Sequence, residues 1–310
     1  MAARVGAAGD GAIDAALTRL RTFRGRAVTI TELAGGLTNR NYKVVTDAAA
    51  YVVRLSPADV DALAIDRDHE YRNSLAAAAS GIGARVVEYL PGQGVLVVEF
   101  IDGRTLGDAD FARPGLIARV AAACRTLHGG PRFVNDFDMF AVLRGYLSII
   151  DRHGFRIPAG YRSHLDQVTD VRTVLARRAE ATVPCNNDLL AANFIDTGTR
   201  IRLIDYEYSG NNDPCFELGN IWSECHLSGD QLDELVTSYY GRVRASRLAR
   251  ARLQGLVSRY GWTLWASIRH ATKASDFDFW TWGMEKYEQA VATLRGPEFG
   301  PLLSAAQLTD

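Results

Sequence analysis

The chain has 310 residues, of which 47% are hydrophobic and 23% are charged, and its formal net charge is −1. This composition is close to that of average globular proteins and excludes a disordered chain, a collagen and a small disulfide-stapled protein. The balanced charge provides no basic surface for nucleic acid, and no apolar run approaches the ~20 residues of a membrane span. We expect neither a nucleic-acid nor a membrane partner, and either two domains or two lobes at about 150 residues per domain.

Three further features of the composition bear on compartment and chemistry. Asp10 and Asp14 lie where a signal peptide needs an apolar core, so we expect a cytoplasmic protein. The four cysteines include no C-x-x-C pair, which favours neither a disulfide framework nor a zinc site. Only three lysines are present, so a role usually given to a buried lysine is expected to fall to Lys43 or to an arginine. Nothing in the pattern indicates an oligomeric state.

The first hundred residues predict a small β-rich lobe. Apolar residues recur at helical spacing over residues 10–24. Strand-like blocks separated by glycine or polar turns then follow, and a helix and a hairpin with a Pro-Gly turn complete the region. The predicted strands cover 28–33, 41–46, 51–56, 84–90 and 94–100, and the helix between the third and fourth covers 65–79. This order favours an antiparallel sheet.

A helical pattern dominates after Gly103. Helices are predicted over 113–128, 138–153, 160–180 and most of 214–294, with a short β-like segment at 185–210. We expect an α+β protein with a small N-terminal lobe over residues 1–102. A larger, mainly helical lobe over residues 103–310 carries the polar hairpin.

Three polar residues of this hairpin carry the strongest chemical signal. Asp188 and Asn193 are five positions apart, and Asp205 follows the apolar strand IRLI. Phosphoryl transfer to an alcohol needs a carboxylate that orients the hydroxyl and hard oxygen ligands for magnesium, and these residue types supply that set. The alternative for an Asp or Asn alone is to cap a turn or to fill a tight loop.

The same segments resemble a known family. CNNDLLAANFID and LIDYEYSGNNDPCFELGNIWSE are similar to the catalytic and metal-binding segments of the choline/ethanolamine kinase family, within the aminoglycoside-phosphotransferase-like kinases. GGLTNRNYKV and YVVRL are similar to its nucleotide loop and third strand. The resemblance implies a two-lobed, protein-kinase-like fold that uses ATP and Mg²⁺ to phosphorylate a small amino alcohol. It also implies that Asp188 is the catalytic base and that Asn193 and Asp205 bind the magnesium.

One position departs from the family pattern H-x-D-x-x-x-x-N, because Asn186 stands where histidine is expected. In kinase-like folds that histidine mostly braces the loop by hydrogen bonding, and asparagine donates and accepts at similar reach. We interpret the change as affecting efficiency more than reaction class. A catalytically impaired nucleotide-binding protein stays as an alternative.

The resemblance also assigns residues to the nucleotide. Glycines between two strands let backbone N–H groups approach phosphate oxygens, and the alternative for such a turn is an ordinary hairpin. This loop contributes Gly35, Gly36, Thr38 and Asn39. Arg54 ends the third strand, where the family neutralises the α/β-phosphates, and Glu70 on the next helix is its expected partner.

The connector between the lobes is expected to hold the adenine. Glu99, Phe100 and Ile101 end a strand and then turn, so that backbone groups face the base and apolar side chains cover it. An ordinary linker is compatible with the same residues.

The acceptor is expected to contact aromatic residues. Trp262 and Trp265 are three positions apart and share a helix face, and Trp282 and Tyr287 follow on the next helical stretch. Such stripes are often core, but W-x-x-W is similar to the family's choline-facing aromatics and Glu224 matches its acceptor-site acid. Aromatic faces beside a carboxylate suit a quaternary ammonium through cation–π attraction.

Choline or ethanolamine is therefore the expected acceptor. The alternatives are another small alcohol (an aminoglycoside, thiamine or an amino sugar), since Leu190 stands where some members have a polar residue. A non-kinase enzyme with Cys185 as nucleophile is the weakest alternative, because no histidine lies near it in sequence.

Overall fold

A computed structural model describes residues 11–34, 38–56, 65–273 and 276–309. The N-terminal part has the predicted order of helix, three strands, helix and two strands. Its elements are α1 (Gly11–Arg19), β1 (Thr29–Leu33), β2 (Arg40–Val45), β3 (Ala50–Leu55), α2 (Arg67–Ala79), β4 (Val86–Leu90) and β5 (Val95–Glu99). The glycine loop at Gly35 and Gly36 lies outside the described residues.

The five strands form one antiparallel sheet in the order β1-β2-β3-β5-β4. Alternation along β3 gives its two faces different roles, because successive side chains of a strand point to opposite sides. Tyr51 and Val53 are buried in a cluster with α1. Val52 and Arg54 point the other way, into the space between the lobes. The alternation of side chains along β3 thus places the Arg54 guanidinium on the side of the sheet that faces the space between the lobes.

The second part of the chain is mainly helical. Its helices are α3 (Leu116–His128), α4 (Met139–His153), α5 (Leu165–Arg177), α6 (Pro214–Glu224), α7 (Gly229–Tyr240), α8 (Ala245–Thr272), α9 (Phe279–Arg295) and α10 (Phe299–Ala305). Its strands are β6 (Arg104–Thr105), β7 (Val183–Cys185), β8 (Phe194–Asp196), β9 (Ile201–Leu203) and β10 (Gly210–Asn212). The β-like segment predicted at 185–210 is therefore a pair of small sheets, β10-β7 and β6-β8-β9. Within the described ranges, no helix is long and apolar enough to cross a bilayer.

Buried apolar residues form three clusters. One joins α1 to the five-stranded sheet, and the other two fill the helical part. Ile65, Ala77 and Ile82 precede residue 102 but pack into the helical clusters. The boundary after residue 102 therefore stays a prediction, since α2 and its flanks contribute to both sides.

Two glycines bring the helices behind the site unusually close together. A Cβ at Gly219 of α6 would lie 2.2 Å from the Ala251 carbonyl of α8, and one at Gly283 of α9 would lie 2.6 Å from the Ala266 Cβ of α8. Only glycine permits this approach. The contacts fix α6, α8 and α9 against one another, and these three helices carry Glu224, the tryptophan pair and Trp282.

Candidate active site

A cavity of about 440 Å³ lies between the sheet and the helical part. It gathers most of the residues that the sequence singled out for the site. Those that line it are Thr38, Asn39, Arg54, Glu99, Phe100, Ile101, Asp188, Asn193, Asp205, Glu224, Trp262, Trp265 and Trp282. Glu70 lies behind Arg54, and Tyr287 lies elsewhere.

The loop after β7 is anchored by hydrogen bonds to Glu217 of α6. The backbone N–H groups of Asn186 and Asn187 donate to its two carboxylate oxygens at 2.8 and 2.7 Å. Asn187 has a φ of 68°, in the left-handed region that asparagine tolerates better than most residues. Its side-chain amide donates to the carbonyls of Cys185 and Tyr208. These contacts set the direction in which the chain enters Asp188.

Asn186 ties the two halves of the hairpin together. Its Nδ2 donates to the carbonyl oxygens of Ile204 and Asp205 at 3.1 and 2.7 Å, and its Oδ1 accepts from the Asp188 N–H at 3.1 Å. The side chain is fully buried. One residue thus connects the segment of the expected base to the segment of an expected metal ligand, which is the bracing contact that the sequence predicted for this position.

The Asp188 carboxyl group faces the cavity without a hydrogen-bond donor among the described side chains. Burial raises its pKa well above the usual range, the carboxylates of Glu224, Asp205 and Glu207 add to the rise, and Lys286 opposes it. A carboxyl group with a raised pKa is well suited to accept a proton from a hydroxyl.

Arg54 lies between two acids. Its Nη1 donates to Glu70 Oε1 at 2.5 Å and to Asp205 Oδ1 at 2.7 Å. The predicted pairing of Arg54 with Glu70 is present. Burial would lower the pKa of Arg54, but the charges of Asp205, Glu70 and Glu207 outweigh it and hold that pKa above its usual value. Asp205 itself has a φ of 64°, a left-handed conformation typical of constrained functional sites.

The sequence did not predict two residues of this network, Glu207 and Arg67. Glu207 accepts from Asn39 Nδ2 at 2.8 Å and from Arg67 Nη1 at 3.0 Å, so it joins the hairpin to the sheet and to α2. Arg67 also donates to Glu70 at 2.7 Å. Burial and the charges of Asp205 and Glu70 raise the pKa of Glu207 to about 7. Arg67 stands three residues before Glu70 on α2, a spacing that could have revealed the pair.

The connector presents one free backbone donor. The N–H of Glu99 donates to the Arg85 carbonyl and that of Phe100 to the Ala50 carbonyl. Among the described residues, the N–H of Ile101 has no acceptor. Lys43 Nζ lies 3.8 Å from the Phe100 ring centroid. Ile101 is therefore the connector residue best able to bind a base edge.

Three tryptophans and Tyr208 form the opposite wall. Trp265 packs edge-to-face on Trp262 and on Trp282, with centroid distances of 6.4 and 5.7 Å. Its Nε1 donates to Tyr208 Oη at 2.7 Å. This hydrogen bond holds the Trp265 ring in one orientation within the wall.

Tyr287 does not belong to this wall. It stacks on Tyr161 with a centroid distance of 5.8 Å, and its hydroxyl donates to the Ala159 carbonyl at 3.0 Å. The neighbouring residue on α9, Lys286, points towards the site instead. Its Nζ donates to both carboxylate oxygens of Glu224, each at 2.7 Å. The cation paired with Glu70 is an arginine, as expected, but the expectation overlooked Lys286, which is buried and paired with Glu224.

The oxygen donors of the hairpin fit a magnesium ion. Asp205 offers a carboxylate, and Asn193 donates its Nδ2 hydrogen to the Asp188 carbonyl at 2.7 Å, which leaves Oδ1 as an oxygen ligand. Carboxylate and amide oxygens are the hard donors that Mg²⁺ prefers.

Comparison with known proteins identifies the family. A family model for choline/ethanolamine kinases matches residues 30–234. The chain belongs to the choline/ethanolamine kinase family. It is 25% identical over 256 residues to protein LicA of Haemophilus influenzae, covering 78% of this chain and 75% of that protein. It is 26% identical over 337 residues to ethanolamine kinase 1 of Mus musculus, covering 92% of each. The crystal structure of a choline/ethanolamine kinase family protein from Mesorhizobium loti matches with a TM-score of 0.84 and 30% identity, covering 96% of this chain and 100% of that one.

Membership makes the protein an ATP-dependent kinase with a small alcohol as acceptor, and the predicted protein-kinase-like fold is confirmed. The alternative of a cysteine nucleophile loses its basis. Although His128 Nε2 does lie 3.6 Å from the Cys185 sulfur, the thiol is fully buried and burial raises its pKa. A protonated, inaccessible thiol is a poor nucleophile.

Proposed function

We propose that this family member transfers the γ-phosphate of ATP to the hydroxyl group of choline or ethanolamine. The observation that carries the proposal is the position of Asp188 in the cavity. Nucleotide-side groups, Arg54 and Asp205, line one part of the same cavity, and the tryptophan wall with Glu224 lines another. An acceptor held on that wall has its hydroxyl group between the aromatic surface and the phosphates.

Each side chain has a distinct task in this reaction. Asp188 orients the acceptor hydroxyl and accepts its proton, and the raised pKa favours that transfer. Arg54, fixed by Glu70, neutralises phosphate charge. Asn193 and Asp205 hold Mg²⁺, which offsets the charge of the transferring phosphoryl group when bound.

The remaining assigned residues bind the substrates. We propose that the connector, Glu99 to Ile101, binds adenine, with the Ile101 N–H as its hydrogen-bond donor. Thr38 and Asn39, with Gly35 and Gly36, contact the phosphates, and Asn39 is held in place by Arg67 and Glu207. Trp262, Trp265 and Trp282 face the amine end of the acceptor. Tyr287 packs through Tyr161 on Tyr260 of α8, two residues before Trp262, and is not expected to touch the acceptor.

The test is ADP release by the wild-type protein over a panel of choline, ethanolamine, thiamine and an aminoglycoside. Two variants assign the roles, and the exposed Asp151→Asn variant is the matched control. Asp188→Asn is expected to lower kcat by about 10²–10⁴-fold with ATP affinity retained. Asp205→Ala is expected to abolish the magnesium-dependent part of ATP binding, measured by calorimetry. Near-normal turnover by Asp188→Asn, or highest activity with thiamine or the aminoglycoside, would contradict the proposal.

A further inference from the structure

The acid of the acceptor wall already has a cationic partner within the chain. Lys286 Nζ bonds both Glu224 oxygens at 2.7 Å, and Ser223 Oγ donates to Oε1 at 3.2 Å. Glu224 is 8% exposed and Lys286 is 5% exposed, so the two charges compensate each other away from bulk water. Glu224 still lines the cavity. The wall therefore presents a carboxylate that is already paired with a cation, and not a free carboxylate.

Lys286 also occupies an aromatic surface. It stands four residues after Trp282 on α9, on the same helix face, and its Nζ lies 4.2 Å from the Trp282 ring centroid. A cation over a tryptophan face is the interaction by which such a wall would attract a quaternary ammonium. The Lys286 ammonium therefore occupies the face of Trp282 on which a quaternary ammonium could otherwise bind.

Resting on the proposed function, we propose that Lys286 is a specificity-determining residue that disfavours quaternary ammonium acceptors and favours amino alcohols whose nitrogen carries hydrogen. A carboxylate offers about four lone-pair sites. The described donors to Glu224 use two on Oε1 and one on Oε2, which leaves one site on Oε2. A primary ammonium donates to that site, whereas a trimethylammonium group has no N–H with which to do so.

The charge of Lys286 acts in the same direction. A quaternary ammonium is bound by net negative charge and by aromatic faces, because it forms no N–H hydrogen bond. Lys286 cancels most of the attraction of Glu224 for a second cation, since the two opposite charges lie in contact. A primary amine still forms a hydrogen bond with Glu224, so this cancellation lowers its affinity less than that of a quaternary amine, which depends on charge and aromatic faces alone.

The first test compares kcat/KM for choline and ethanolamine in wild type and Lys286→Met. Methionine is unbranched and of similar length, so it keeps the packing against Trp282 while removing the charge. The choline-to-ethanolamine ratio is expected to rise about tenfold, mainly through a lower KM for choline. Lys273→Met, at the end of α8, is the matched lysine control and should leave the ratio unchanged. A ratio within twofold of wild type in a folded Lys286→Met protein overturns the proposal.

Removing one partner of a buried ion pair destabilises proteins, so a second measurement uses the wild-type protein alone. Methylammonium and tetramethylammonium chloride are compared at equal concentration by the rise in melting temperature. Methylammonium is expected to give the larger rise, and an equal or larger rise with tetramethylammonium overturns the proposal. This measurement needs no turnover. Absence of ADP release with every amino alcohol would therefore refute the proposed kinase acceptor without altering the outcome of the binding comparison.

Discussion

Replacing Asn186 by alanine tests whether this residue replaces the histidine that the family pattern expects. The change removes three side-chain hydrogen bonds, to the carbonyls of Ile204 and Asp205 and from the N–H of Asp188. Each buried group left without a partner costs about 1–3 kcal/mol, and water from the adjoining cavity relieves part of this. We expect the free energy of unfolding to fall by about 2–4 kcal/mol, measured by urea denaturation.

The same substitution should affect turnover more than stability alone explains. Asn186 fixes Asp188 relative to Asp205, and a displacement of about 1 Å in such a constellation costs about 10²-fold in rate. We expect kcat to fall by about that factor in protein that is fully folded by circular dichroism. Asn211→Ala is the matched control, because Asn211 is also buried and bonds the carbonyls of Phe133 and Asn135 outside the site. If the two variants lose kcat equally, Asn186 has only a general structural role.

Three further predictions address the network and the framework. Glu70→Gln should weaken ATP binding about tenfold by calorimetry, because Arg54 loses a charged partner, whereas Glu32→Gln, in an exposed pair of the same sheet, should not. Gly283→Ala should lower the free energy of unfolding by about 1–3 kcal/mol, because its Cβ would meet the Ala266 Cβ at 2.6 Å. Gly145→Ala, which meets no atom within 4 Å inside α4, should not lower it. Hydrogen bonds from Arg119 lower the pKa of Asp196 to about 2, so its stabilisation is present at neutral pH and is lost as pH falls from about 4 to 2. Asp196→Asn should therefore lower the urea midpoint more at pH 7 than at pH 2, and an equal difference at both pH values would contradict this assignment.

The sequence predicted those features that depend on neighbouring residues, such as strand positions and the hydrogen-bonding capacity of a side chain. The strand pattern predicted β3 with Arg54 near its end, and the hydrogen-bonding capacity of asparagine anticipated the bracing contacts of Asn186. The sequence did not predict how each packed helix is rotated about its own axis. Consecutive helix residues differ by about 100° in direction, so choosing Tyr287 over Lys286 reverses which side chain faces the site. The close approach of Gly283 to Ala266 is one of the packing contacts that accompany this rotation, and it is not apparent from α9 alone.

Burial, together with the neighbouring carboxylates, raises the pKa values of two acids of the site, Asp188 and Glu207. The carboxyl groups of the network and the acceptor wall are Glu70, Asp188, Asp205, Glu207 and Glu224, and the described cations that form ion pairs among them are Arg54, Arg67 and Lys286. Arg259 also interacts electrostatically with Glu224. Glu70 and Glu224 each have a cation within 2.7 Å, whereas Asp188 forms no ion pair with a described residue, and burial and the nearby carboxylates raise its pKa. Glu207 shares Arg67 with Glu70, and its pKa is also raised. A divalent cation held by Asp205 would oppose the repulsion that Asp205 exerts on Asp188 and Glu207, so magnesium binding is expected to lower both pKa values.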